Sequence, residues 1–242
     1  MLRATSILKH IEQLTRKMIE IGLSEDQNFP SKKEYSGKIE EIGVQTWNSD
    51  SSIFLKSIPH QEMYRTLCEQ RIFNIKMIDG ALIHMQYRFK NKKIENHRLS
   101  FFPAPNLEVF QNEPNIYIED EIYNDILDKR IVTVPLRFDF DIREEVSSPI
   151  IHPVSHFTIG QYKNCRIPVS SALTPYQFLK FIIMNFYNTA YEKYSDKFLV
   201  IKDCFDITIY PEEKEIINIC TPVYRNKWKV IKEFDYNCKL NI

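Results

Sequence analysis

Five side chains within one stretch have the types and spacing to handle a phosphate ester. Arg137, Asp139 and Asp141 stand two residues apart, and His152 and His156 stand four apart. Two imidazoles can act as base and acid in metal-free phosphodiester cleavage while a guanidinium stabilises the developing charge. The candidate catalytic set is therefore His152, His156, Asp139 and Asp141, with Arg137 as an anion ligand. Imidazole and carboxylate also suit zinc, manganese or iron, but D-x-D alone assigns no metal ligand, and any cofactor stays unknown. A third use is purely structural: Asp141 would pair with Arg143 or Arg137, and the histidines would be satisfied polar core residues.

Strand parity brings these groups together. Val132, Val134, Leu136, Phe138, Phe140 and Ile142 make one apolar face of a strand over 131–142. Residues two apart share a face, so Arg137, Asp139 and Asp141 share the opposite one. On a second strand, about 152–162, His152, His156 and Thr158 share a face. If the two form a hairpin closed by 143–150, matched apolar faces require an odd position sum. A sum of about 293 sets Asp141 opposite His152 and Arg137 opposite His156. Arg166 precedes a helix that Thr174 caps and Pro175 opens, and a helix start attracts anions. Arg166 is thus a second candidate anion ligand, or the partner of an acid.

The remaining elements frame this pair. Ile7, Ile11, Leu14, Met18 and Ile21 recur at helical spacing over 5–21, with Gly22 as a stop. Residues 24–37 read as a polar loop and 38–58 as two extended pieces, followed by a short helix from Pro59 to about 70. A strand over 72–78 ends at Asp79-Gly80. Alternation over 81–89, a turn at 90–93 and a return strand over 94–102 predict a hairpin. An acidic helix is expected at 119–129. The helix over 175–191 is apolar nearly all round and should be central to the core. Strands at 205–210 and 215–224, joined by a turn at 211–214, and a further one at 228–236 complete the chain. The expectation is a single α+β domain over 1–242, an antiparallel sheet packed against helices. Its N-terminal helix and loop occupy 1–37 and its sheet-and-helix core 38–242.

Charge is balanced, 32 Lys+Arg against 32 Asp+Glu, which argues against a general polyanion binder. The balance hides a dipole. Five basic residues and one acid lie between Arg88 and Arg98; seven acids and no Lys or Arg lie between Leu99 and Asp128. Arg88, Lys92, Lys93 and Arg98 are candidate phosphate contacts on the hairpin; docking of the hairpin on the acidic segment is the other reading. Tyr87, Phe89, Phe101 and Phe102 could stack bases, although alternation at this spacing suits core. Asp206 with Glu212-x-Lys214 resembles the D…ExK pattern of restriction-type nucleases, in a run that also suits a solvated turn. No apolar signal segment, membrane span, CxxC pair, phosphate-cradling glycine loop or repeat occurs. The expected setting is the cytoplasm, with no membrane partner.

An ordered set of motifs carries a resemblance. It comprises Asp79-Gly80-Ala81-Leu82-Ile83, His97-Arg98-Leu99-Ser100-Phe101-Phe102-Pro103, Pro135-Leu136-Arg137-Phe138-Asp139 and His152-Pro153-Val154-Ser155-His156-Phe157-Thr158-Ile159-Gly160. Cys165-Arg166-Ile167-Pro168-Val169 and Leu173-Thr174-Pro175-Tyr176-Gln177-Phe178 follow. Together they cover just under half the chain and resemble a bacterial family classed only as a domain of unknown function. Near the middle of strand 81–89 the pattern expects a glutamine, where this chain has His84 and Gln86. Members sit near restriction and anti-phage genes, so the resemblance implies a role in phage defence and a protein partner encoded nearby; it assigns no activity. Two functions follow as expectations: a protein that binds or processes a nucleic acid or nucleotide at the His/Arg/Asp face, or a non-enzymatic adaptor or inhibitory partner of a neighbouring effector.

Overall fold

The structure is a computed structural model that describes residues 2–44, 58–105, 134–160, 164–198 and 200–222. Helix α1 (Ala4–Glu20) buries Ile7, Ile11, Leu14 and Met18 along one stripe. Gly22, at φ +75°, ends it: the Gly22 N–H donates to the Ile19 carbonyl and the Leu23 N–H to the Met18 carbonyl. These bonds satisfy last-turn carbonyls, and only glycine enters that backbone region freely.

Beyond α1 the chain builds one antiparallel sheet, nine-stranded among the described residues. Its strands are β1 (Ser24–Gln27), β2 (Ser31–Tyr35), β3 (Ile39–Gly43), β4 (Ile75–Met77), β5 (Leu82–Lys90), β6 (Lys93–Phe102), β7 (Leu136–Asp141), β8 (Ser155–Ile159) and β9 (Ile167–Pro168). The main path runs β1-β4-β5-β6-β7-β8-β9; β3 joins the other end of β5 and carries β2. Helices α2 (His60–Glu69), α3 (Pro175–Phe186), α4 (Asn188–Tyr194) with a 3-10 turn (Ser195–Lys197) after it, and the one-turn α5 (Pro211–Lys214) complete the described elements.

The β5–β6 hairpin turns through Asn91 and Lys92, both at positive φ, as a two-residue hairpin loop requires. Ile83, Met85, Tyr87 and Phe89 of β5 then face the same side as Leu99 and Phe101 of β6 and Leu136, Phe138 and Phe140 of β7. All are buried in one cluster with α1 and α3. Phe138 meets Phe157, Phe178 and Phe181 at centroid distances of 4.5, 6.1 and 5.3 Å. Phe138→Ala is expected to cost about 3–5 kcal/mol, read as a lower urea midpoint at unchanged m-value; a loss below about 1 kcal/mol would show that this contact does not anchor α3.

Several sequence expectations change here. Residues 24–37 are not a loop: they form β1 and β2, whose polar side chains, half-buried in β1 and mostly exposed in β2, show no apolar alternation. The helix expected over 175–191 breaks at Tyr187, whose hydroxyl donates to both Asp79 carboxylate oxygens at 2.8 Å. The tail strands are absent over 205–222; only the bridges Val169↔Ile219 and Ser171↔Ile207 form there, and 211–214 is a helical turn. The predicted strand over 72–78 shortens to Ile75–Met77. The acidic helix at 119–129, the start of the strand at 131–133 and the strand at 228–236 lie outside the described residues.

Candidate functional site

The sheet has a second face, and register places its side chains in rows. Leu82 and Phe102 pair at one end and join Met63, Leu67, Ile72 and Phe73, so α2 covers that end with an apolar cluster. The next row reads His84–Ser100–Arg137–Thr158, the one after it Gln86–Arg98–Asp139–His156, and the last Arg88–Asn96–Asp141. The parity argument therefore holds: apolar residues of β7 face the core, and Arg137, Asp139 and Asp141 face the other way. The predicted register does not hold. Asp139, not Arg137, faces His156, Arg137 faces Thr158, and Asp141 has no partner in β8.

The loop before β8 explains the shift. His152 does not enter the strand; it bridges back to Ser148, each N–H donating to the other's carbonyl at 2.9 Å. Arg143 closes a turn by accepting from the Val146 N–H. The strand then starts only at Ser155, two residues later than a regular hairpin would set it.

Asp139 is the centre of the site. Arg98 Nε donates to Oδ1 at 3.1 Å and Arg137 Nε donates to Oδ2. The side chains of Arg98, Asp139 and Arg137 are only 11%, 14% and 19% exposed. Burial alone would raise the Asp139 pKa, but the nearby Arg137, Arg98 and His156 overcome it and hold the carboxyl well below its usual range. Asp139 is thus an ion held between two guanidiniums.

His156 completes the row. Its Nδ1 lies 2.9 Å from the Pro153 carbonyl, so Nδ1 carries the proton and donates. Nε2 then points to Asp139 Oδ2 at 3.8 Å. Burial draws the imidazole pKa below its ordinary value, against Asp139 and the Pro153 carbonyl, which favour the cation. A neutral imidazole with its lone pair on Nε2 results, the form a general base needs. His152 is held the same way, Nδ1 donating to the Val146 carbonyl at 2.6 Å, and the two rings lie 5.1 Å apart.

The other candidates are distributed differently. Asp141 pairs with Arg143, whose Nε donates to Oδ1 at 2.8 Å, which is the structural use foreseen for it. Arg98, read as a hairpin cation, instead binds Asp139 on the polar face. Arg88 lies near Glu95 and Glu41 at 3.1 and 3.9 Å. Lys92 and Lys93 are exposed at the hairpin tip; Lys93 also lines, with Lys90, Phe140 and Phe205, a cavity of about 520 Å³. Arg166 donates to the Ile151 carbonyl at 3.3 Å. The start of α3 is closed by its own capping box, Thr174 N–H to Gln177 Oε1 and Gln177 N–H to Thr174 Oγ1. Tyr87, Phe89, Phe101 and Phe102 are buried. Glu212 and Lys214 are exposed on α5. Among the described residues no group of three or more His, Cys, Asp or Glu could hold a metal, and no helix is long and apolar enough to cross a membrane.

Three members of the face escaped the sequence reading: Asn96, Ser100 and, as more than a face-mate of the histidines, Thr158. Each is under a tenth exposed, and Asn96 Nδ2 and Oδ1, Ser100 Oγ and Thr158 Oγ1 have no hydrogen-bond partner among the described residues. Parity along β6 was the available signal, since Asn96, Arg98 and Ser100 alternate with the buried His97 and Leu99.

A family model matches residues 23–221, and with them every row of this face; its description is an uncharacterised conserved protein, DUF2290. The chain belongs to that family. The DUF2290 match includes β1 to β9 and α2 to α5 and leaves α1 outside. No curated protein and no solved structure matches the chain.

Proposed function

We propose that this DUF2290 protein binds or processes a nucleic acid or nucleotide on the second face of its sheet, with His156, Asp139, Arg137 and Arg98 around the phosphate. One observation carries the reading: a buried imidazole with Nδ1 fixed on a carbonyl presents Nε2 to a row that also holds a carboxylate and two guanidiniums. Arg137 and Arg98 would stabilise negative charge, and His156 Nε2 would accept the proton of an attacking hydroxyl. His152, its Nδ1 held on the Val146 carbonyl, would serve as the acid that returns a proton to the leaving oxygen. The family resemblance supports a cytoplasmic role in phage defence beside an effector encoded nearby.

The adaptor reading has its own support. Ile150 and Ile151 are 47% and 76% exposed in a loop that meets α5 through the Ile150 N–H and Glu213 Oε1, and Ile217, three residues past α5, is 86% exposed. Exposed apolar side chains such as the adjacent Ile150 and Ile151 suit a protein partner. The two readings separate experimentally. RNA and DNA cleavage and nucleotide binding are measured for the wild type, His156→Asn and Arg137→Ala. Asparagine keeps a donor near the Pro153 carbonyl and removes Nε2. Binding should fall about tenfold or more in Arg137→Ala, and any cleavage should fall about a hundredfold in His156→Asn. Wild-type behaviour from both folded variants would reject the phosphate reading and leave the adaptor.

A further inference from the structure

We infer that the cavity beside the tip of the β5–β6 hairpin binds an alkyl chain with an anionic head, the chain on the cavity's apolar wall and the head at Lys93. The site is separate from the polar face: Phe140 lines it from the core side of β7, whereas Arg137 and Asp139 lie on the other side of that strand. The inference does not rest on the phosphate reading.

The cavity encloses about 520 Å³, within the range of small-molecule sites. Its lining comes from the start of the chain, the hairpin, the end of β7 and the tail around Phe205. Exposure grades along its apolar wall. Leu2, Phe140 and Phe205, 9%, 2% and 8% exposed, belong to the main core. Ile94 is half-buried, and Ile142 is 49% exposed. Ile142 lines the cavity with Phe140 and so extends the apolar row of β7 past the end of the strand, out to water. An apolar wall that runs from core to solvent is desolvated only when something apolar lies along it.

Charge selects the head group. Lys90 and Lys93 pair across the hairpin tip, and both line the cavity; their methylene stems add to its apolar surface. Two acids line it as well. Glu95 lies 3.1 Å from Arg88 and 3.8 Å from Lys90, so its charge is answered within the sheet. Lys93 is exposed and has no ion-pair partner among the described residues. Asp206, exposed on the tail wall, repels a negative head and directs it to the hairpin wall. A cationic head would meet Asp206 but stand beside two ammonium groups; an anionic head meets the reverse, and finds Lys93 unclaimed.

Calorimetric titration of the full chain, below micelle-forming concentrations, tests this. The probes are butanoate, hexanoate, octanoate and decanoate, with octyl phosphate, 1-octanol and octylamine. From butanoate to octanoate, affinity should rise about tenfold for every two methylenes added. Octanoate or octyl phosphate should bind more tightly than 1-octanol and octylamine, and the tighter of the two anions identifies the head group. Lys93→Ala should weaken that anion about fivefold and 1-octanol less than about twofold. Ile142→Glu should weaken both about tenfold, and Asp206→Asn should tighten the anion about two- to threefold. Lys92→Ala, one residue from Lys93 but outside the lining, should leave binding unchanged. All four side chains are exposed, so these variants keep the fold. Affinity independent of chain length, octylamine bound as tightly as octanoate, or a chain that still binds Ile142→Glu at full strength would overturn the inference. So would Lys92→Ala weakening the anion as much as Lys93→Ala, which would reduce the site to a diffuse basic patch, or a wild-type protein that binds none of the probes.

Discussion

Asp139→Ala is expected to destabilise the fold by about 3–5 kcal/mol, the usual cost of removing one member of a buried charge cluster. Arg98 and Arg137 both donate to this carboxylate, and all three side chains are mostly buried. Without it, two guanidiniums face each other across β6 and β7 with their shared counter-ion gone. Asp139→Asn keeps the shape and one acceptor oxygen but loses the charge, so it should cost roughly half as much. Urea unfolding at pH 7.5 reads both. A loss below about 1 kcal/mol for the alanine variant would mean that the cluster behaves like an exposed ion pair, and the description of a closed, desolvated row would be wrong.

Acid should destabilise the protein well before its carboxylates titrate. His84 and His97 are fully buried, and burial pushes both pKa values down to about 3. Unfolded histidine titrates near 6.5. As pH falls below that value the unfolded chain takes up protons that the folded chain refuses, so stability is complete above about pH 6.5 and declines towards pH 3. Each histidine removes about 1.4 kcal/mol per pH unit in that window, or about 2–3 kcal/mol by pH 4.5. Asp139, depressed below the usual carboxylate range, acts in the same direction at lower pH. His97 has a visible reason to stay neutral: its Nε2 accepts the Leu173 N–H at 3.0 Å, beside Tyr87, whose hydroxyl donates to the Leu173 carbonyl. Protonation would break the bond that sets the approach to α3. Urea midpoints at pH 7.5, 6.0, 5.0 and 4.5 should fall steadily, and His97→Gln should lose about half the slope. A midpoint constant across that range would contradict the burial of both imidazoles as neutral groups.

The face assignments were legible in the sequence because they follow from chain geometry. Alternation in β5 and β7 separates Phe138 and Phe140 from Arg137 and Asp139 whatever the partner strand does. Register was not legible, because it depends on the 142–154 loop. Ile150 sits there at φ +66°, a backbone region that a β-branched residue seldom enters, and nothing in its type announces it. The loop also takes His152 out of the strand. Polar strands were missed for a related reason: β1 and β2 pair through their backbones and carry mostly polar side chains, so no period-2 apolar signal exists. The tail erred in the opposite sense. Ile207, Ile216 and Ile217 look like strand residues but are 51%, 42% and 86% exposed. Arg98 shows how partners decide a role: as part of a basic run it suggested a phosphate contact on the hairpin, and one cross-strand neighbour, Asp139, makes it the partner of a buried carboxylate.

The most direct measurement of the central claim is nitrogen-resolved NMR of the imidazoles at pH 7, before and after adding the four ribonucleoside monophosphates and then a short single-stranded RNA. The account predicts that His156 is neutral with its proton on Nδ1, and that its Nε2 resonance shifts on ligand addition while that of His10, on α1 against the opposite face of the sheet, stays in place. A doubly protonated His156 in the free protein, or a His156 resonance unmoved by ligands that demonstrably bind elsewhere, would contradict it.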